Sequence, residues 1–259
     1  MSIDIISMRP TNQKFDTPLL FVHGAWHGNW CWAETFMPYF TERGFEVHAL
    51  SLRGHDKSPA EKSIKWLRAK DYVADVATAV KQLPKPPIVI GHSMGGYVVQ
   101  KYLETYFAPK AILLASVPPS GVIGITLKIL RTEPATFLKI NLQQTLYPVV
   151  GTVANAKKQL FSPETPDSVV EKVFPKLQEE SYGAFLDMLL FNLPKPKKIQ
   201  TPILVLGGTK DYIFSQEEVR KTAVAYNTEP KFFDMGHNMM MEDGWETVAD
   251  EMITWLQAA

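Results

Sequence analysis

The stretch Pro86-Pro87-Ile88-Val89-Ile90-Gly91-His92-Ser93-Met94-Gly95-Gly96-Tyr97 constrains this chain more than any other. Three consecutive β-branched residues, opened by two prolines and closed by a glycine, predict a short strand buried on both faces of a parallel sheet. A helical pattern starts almost at once after it, so strand and helix meet around Ser93 with no loop between them. Such a junction forces its central residue into a strained backbone, and glycines on either side remove the Cβ atoms that would collide. Ser93 is thereby pushed out at the carboxyl end of the sheet. There the positive end of the following helix and the unpaired amide of Met94 can meet a developing oxyanion.

Residues 91–96, Gly-His-Ser-Met-Gly-Gly, resemble the nucleophile elbow of the α/β-hydrolase superfamily. The resemblance implies a fold of the α/β class, a doubly wound, mostly parallel sheet with an inserted helical cap. The rest of the chain has the matching rhythm. Residues 3–8 can form an edge strand, while Pro18–Val22, Phe45–Leu50, Lys110–Ala115 and Thr201–Leu206 read as buried strands. The spacing predicts helices over Trp32–Arg43, stopped by Gly44, over Ala69–Leu83, and over Tyr97–Phe107, ended by Pro109. From Ser116 to about Leu193 the strands cease and apolar residues recur at helical spacing, until Pro194–Lys198 closes the block. Its position is similar to that of the family's cap, which divides the chain into a core of 1–117 and 195–259 and a cap insertion of 118–194. Lys231-Phe232-Phe233 opens a last short strand, and a helix from Trp245 to Leu256 follows.

Composition narrows the classes of partner. With 259 residues the chain suffices for one domain carrying an insertion. Lysine and arginine number 27 against 27 acids, so nothing favours nucleic acid or an anionic membrane. Cys31 is the single cysteine, which excludes an intrachain disulfide and a multi-cysteine zinc site. Residues 1–10 carry an acid where a secretory signal would carry bases, and no apolar run is long enough to span a bilayer. The expectation is a cytoplasmic protein of open oligomeric state.

Carried onto this sequence residue by residue, the resemblance makes Ser93 the nucleophile, Asp211 the triad acid and His237 the base. Ser215-Gln216-Glu217-Glu218 reads as a capping box, so Asp211 lies in a loop just before a helix. His23-Gly24 follows a buried strand as the family's oxyanion loop does, and the donor role falls to the amide of Ala25, beside that of Met94. Gly24 would let the backbone approach a substrate closely. Trp26, Trp30, Trp32 and, from the cap, Met188 are candidates to wall the pocket. His23 is read as structural, as are Arg53, His55 and Asp56, the last standing where the family usually has a glycine. His92 is expected to face away from the site.

A serine hydroxyl is a poor nucleophile at neutral pH, so His237 would take its proton and Asp211 would fix the imidazole tautomer. No metal or organic cofactor is required. The reading is hydrolysis of carboxylic esters of small to medium apolar substrates. Perhydrolase, thioesterase and amidase chemistry, or a triad-retaining ligand receptor, stay open at this point. The loop 23–30 looks like that of the plant methylesterase and hydroxynitrile lyase branch. The threonine and lysine characteristic of its lyases are Gly24 and Asn238 here, which disfavours cyanide release.

Overall fold

Runs that can bury both faces build the sheet. The computed structural model describes residues 3–258, with strands β1 (Ile5–Met8), β2 (Phe15–Val22), β3 (Phe45–Leu50), β4 (Ile88–His92), β5 (Ala111–Leu114), β6 (Ile203–Gly208) and β7 (Pro230–Phe233). Met1, Ser2 and Ala259, the outer ends of the two expected core segments, lie outside the described residues. The strands form one sheet in the order β1-β3-β2-β4-β5-β6-β7. The edge strand β1 pairs antiparallel with β3, and the remaining pairs are parallel. This is the doubly wound, mostly parallel sheet that the sequence predicts.

Helices cover both faces. They are α1 (Trp30–Ala33), α2 (Phe36–Glu42), α3 (Ala69–Lys81), α4 (Met94–Leu103), α5 (Ile123–Thr132), α6 (Pro134–Gln143), α7 (Val153–Leu160), α8 (Asp167–Val173), α9 (Tyr182–Leu186), α10 (Gln216–Ala225) and α11 (Trp245–Gln257). Along β2, Leu20 and Val22 join the apolar layer of α3, α4 and α10, whereas Leu19 and Phe21 join that of α2 and α11. Each such side chain, removed from water, contributes roughly 1.5–3 kcal/mol. Five helices, α5 to α9, fill the chain between β5 and β6 and supply the helical block expected there. Among the described residues no helix is long and apolar enough to cross a membrane.

Two boundaries differ from the periodicity. The helix expected over 32–43 is broken into α1 and α2 at Thr35, whose φ of −125° and ψ of −81° are not helical and whose Oγ1 donates to the Met240 carbonyl at 2.9 Å. Pro38 is the reason. In an unbroken helix its ring would collide with the carbonyl of Glu34, whereas the break places it in the first turn of α2, where proline is tolerated. The helix after the elbow begins at Met94 rather than Tyr97, directly against Ser93. That leaves the Met94 amide among the unpaired donors of a helix start.

Candidate active site

Ser93 sits between β4 and α4 with φ +52° and ψ −118°. A side-chain-bearing residue held there costs on the order of 1–3 kcal/mol, so its surroundings must enforce it. They do so through the backbone: the Ser93 amide donates to Leu114 at 3.0 Å, and its carbonyl accepts from Tyr97 at 3.2 Å and Val117 at 3.1 Å. The flanking glycines are obligatory. A Cβ on Gly91 would lie 2.5 Å from the Gly95 carbonyl oxygen, and one on Gly95 would lie 2.3 Å from that of Val22.

Asp211 and His237 arrive from the carboxyl ends of β6 and β7. Asp211 Oδ1 accepts the amides of Ile213 at 2.7 Å and Phe214 at 3.1 Å, which turns Oδ2 toward His237 Nδ1, 2.8 Å away. Both side chains are buried. A carboxylate at that distance calls for a proton on Nδ1, while Nε2 is buried with no hydrogen-bond partner among the described residues. The loop is pinned on each side of the base. The Gly236 amide donates to Glu242 at 3.0 Å, His92 Nε2 donates to the His237 carbonyl at 3.0 Å, and the Asn238 amide donates to Leu160 of α7 at 2.7 Å. His92 is absent from the cavity wall, but its ring lies tilted against that of His237, centres 4.9 Å apart. Its part in holding the base was not foreseen from the sequence.

Gly24 brings the next loop against Ser93, for a Cβ there would lie 3.0 Å from Ser93 Cβ and 2.7 Å from His92 Nδ1. The following Ala25 amide makes no hydrogen bond among the described residues, and the Ala25 carbonyl accepts from His27 Nδ1 at 2.6 Å. His27 Nε2 in turn accepts from Asn238 Nδ2 at 3.1 Å. Burial, only partly offset by the Ala25 carbonyl, lowers the His27 pKa to about 4, so the ring is neutral as these contacts require. His23 donates from Nδ1 to the Gly24 carbonyl at 2.8 Å and accepts the Leu52 amide at 3.0 Å on Nε2, a structural placement. Arg53 pairs with buried Asp75 at 2.6 Å, and Asp56 adopts φ +50° in place of the expected glycine.

A cavity of about 90 Å³ opens over Ser93, Met94, Ala25 and Trp26 and is roofed by Ile129, Phe137, Ile140, Leu146, Phe185 and Met188 of the inserted segment. No charged side chain lines it. Met188 reaches it from a π-helical turn, Asp187–Phe191. Three residues expected at the pocket lie elsewhere. Trp30 lines a separate groove beneath the Lys176 ammonium, 5.3 Å from its ring centre. Trp32 is fully buried against Phe21. Gly24 is packed behind Ser93 and not on the wall. Sequence patterns also gave no sign of Glu180, a fully buried carboxylate from the insertion that meets His55 Nε2 at 2.9 Å.

A model of the alpha/beta hydrolase family matches residues 19–251. The chain is similar to protein phosphatase methylesterase 1 of Bos taurus, 26% identical over 178 residues, which is 60% of this chain and 46% of that protein. It is also 26% identical over 170 residues to norfluorocurarine synthase 2 of Strychnos sp, covering 63% of this chain and 58% of that one. The chain spans about half the length of these curated relatives. Among solved structures, an esterase (EaEST) from Exiguobacterium antarcticum superposes with a TM-score of 0.77 at 17% identity, over 99% of this chain and 96% of the other, a likeness of fold.

Proposed function

From the premise that this chain belongs to the alpha/beta hydrolase family, we propose that it is a serine hydrolase cleaving carboxylic esters of small, uncharged acids through an acyl-enzyme on Ser93. The observation that carries the reading is the state of His237: its Nδ1 is 2.8 Å from Asp211 while its Nε2 is buried and unpaired. An imidazole held in that tautomer is a base waiting for a hydroxyl proton. Residues 118–194 act as the cap over the core segments 1–117 and 195–259.

In the first half-reaction Ser93 Oγ attacks the ester carbonyl carbon as its proton passes to His237 Nε2, and Asp211 stabilises the imidazolium. The carbonyl oxygen becomes an oxyanion held by the Ala25 and Met94 amides, each worth roughly 3–4 kcal/mol if it behaves as such donors do elsewhere. The carbon–oxygen bond to the alcohol then breaks, and His237 returns the proton to the leaving oxygen. Water repeats the sequence on the acyl-enzyme, releasing the acid and restoring Ser93. The charge-free wall favours neutral acyl groups, since an ion entering it would lose its hydration without a partner. On this reading the substrate is a small-molecule ester.

The test is p-nitrophenyl acetate hydrolysis. A burst of p-nitrophenol stoichiometric with protein, then steady turnover, is expected, with both abolished in Ser93→Ala. Binding without turnover in the wild-type protein would overturn the hydrolase reading in favour of a ligand receptor.

A further inference from the structure

We infer that Glu180 of the cap is a positioning residue for the oxyanion hole: together with the Gln178 amide it holds the strained Trp26 peptide and so aims the adjoining Ala25 donor. The inference rests on the hydrolase reading above and adds a requirement that the cap be seated for the hole to exist.

Trp26 stands at φ +66°, in a region that bulky side chains avoid. Its cost, on the order of 1–3 kcal/mol, must be met by contacts that a relaxed Trp26 would lose. Both polar groups of its backbone bond to one short cap segment. The Trp26 amide donates to Glu180 Oε2 at 3.4 Å, and its carbonyl accepts the Gln178 amide at 3.0 Å. With amide and carbonyl both tethered, neither peptide plane beside Trp26 is free to turn. The plane on its amino side is the one that continues into Ala25. If the tether let go, relaxation of φ would swing that plane and carry the Ala25 amide away from Ser93.

Glu180 is built to hold still. It is completely buried, and Oε2 also meets His55 Nε2 at 2.9 Å while Oε1 accepts Tyr72 Oη at 2.8 Å and the Ser181 amide at 2.6 Å. The Gln178 side chain locks the same segment to the core, donating to the Gly54 carbonyl at 2.8 Å and accepting the Asp56 amide at 3.0 Å. A buried ion pair is a weak device for stability, because desolvation offsets most of the attraction. As a fixed point between the cap and a strained loop it supplies a direction that apolar packing would not.

The experiment separates aiming from mere adhesion. Glu180→Gln is measured in three backgrounds, wild type, Trp26→Gly and Trp26→Ala, with active sites titrated by a fluorophosphonate. Glycine adopts positive φ without cost and alanine does not. In the wild-type and alanine backgrounds kcat and kcat/KM for p-nitrophenyl acetate should fall together by about tenfold or more, with KM unmoved. In the glycine background the loss should shrink to about threefold or less, because the loop no longer needs to be held. Equal losses in the glycine and alanine backgrounds, or a loss carried by KM, would overturn the proposal. Glu180→Asp serves if Glu180→Gln does not fold, since it keeps the charge and withdraws it from Trp26. Amide hydrogen exchange of the peptide 24–28 in the Ser93→Ala protein gives a second reading that needs no catalysis. Glu180→Gln should speed it by about tenfold, and unchanged exchange counts against the proposal. If wild-type protein neither labels with fluorophosphonate nor turns over while exchange responds as expected, it is the hydrolase reading that fails.

Discussion

His92 donates from Nε2 to the backbone carbonyl of His237 at 3.0 Å, so the residue just before Ser93 holds the backbone of His237. The strand that presents Ser93 and the loop that presents His237 are joined by this one buried contact. Burial, together with the neighbouring His237 and His27 rings, keeps the His92 pKa well below its usual value, and the ring works as a neutral donor. Replacing it by phenylalanine leaves the His237 carbonyl unpaired in a dry site. His92→Phe is expected to lose about 1–3 kcal/mol of stability, read in urea unfolding. Turnover of p-nitrophenyl acetate should fall further than with an equally destabilising change in the opposite apolar layer, such as Val76→Ala in α3.

In the proposed mechanism Asp211 acts through one proton position. Asn at 211 can still accept the Ile213 and Phe214 amides on Oδ1 but presents an NH2 to His237 Nδ1, which forces the proton onto Nε2. The Nε2 lone pair on which the proposed proton transfer depends would then be lost. Asp211→Asn should lower kcat by about 10³–10⁴ with little change in the unfolding midpoint. A loss under about tenfold would show that another acid stands behind the ring.

His55 and Glu180 make stability depend on pH. Burial alone would lower the imidazole and raise the carboxyl, but the opposite charge and hydrogen bond across the contact outweigh it. His55 therefore titrates above its ordinary 6.5 and Glu180 below its ordinary 4.5. The other titratable rings on the pair are His23, itself kept neutral by burial and by the charge on His55, and Tyr72. A raised imidazole contributes stability that is complete below about 6.5 and is lost as pH rises through its folded pKa. A depressed carboxyl contributes stability that is complete above about 4.5 and is lost as pH falls through its folded pKa. Urea unfolding of wild type and His55→Gln should therefore differ most between about pH 4.5 and 6.5 and converge on the alkaline side. A difference that stays constant to about pH 9 would mean the pair carries no charge.

What was legible in the sequence is what is local. The elbow could be read because strand, turn glycines and helix are contiguous, and its positive φ follows from their spacing. The alternation of Val22 and Phe21 between two apolar layers follows from strand period alone. Asp211 and His237 were legible only through resemblance, since no local pattern brings residues from two strand ends to 2.8 Å. Glu180 and the His27–Asn238 contact are 154 and 211 residues from their partners Trp26 and His27, and a lone buried glutamate looks like any surface acid in one dimension. Trp30 was misplaced because a tryptophan just after the loop suggests a wall, whereas its ring lines a separate groove beneath Lys176, a placement no local pattern encodes. The helix break at Thr35, by contrast, had a visible signal in Pro38.

The size of the cavity sets the last expectation. About 90 Å³ is available over Ser93, against the roughly 150 Å³ apolar cavity that admits benzene in an engineered core. An acetyl to butanoyl chain fits such a space, whereas an octanoyl chain must displace the roof. Ile140 is buried in that roof and carries no hydrogen-bonding side chain, so its truncation enlarges the cavity without disturbing Ser93, Asp211 or His237. Wild type should prefer p-nitrophenyl butanoate to octanoate by about tenfold or more in kcat/KM, since one methylene in a fitted pocket is worth about 1–3 kcal/mol. Ile140→Ala should narrow that ratio by improving octanoate, at an expense in stability of about 2–5 kcal/mol. If octanoate is already preferred by the wild-type protein, the roof must open during turnover and the cavity measured over Ser93 is not the one that holds the acyl chain. If Ile140→Ala weakens both esters equally, the acyl group lies elsewhere, and the space beneath Ile140 receives the alcohol.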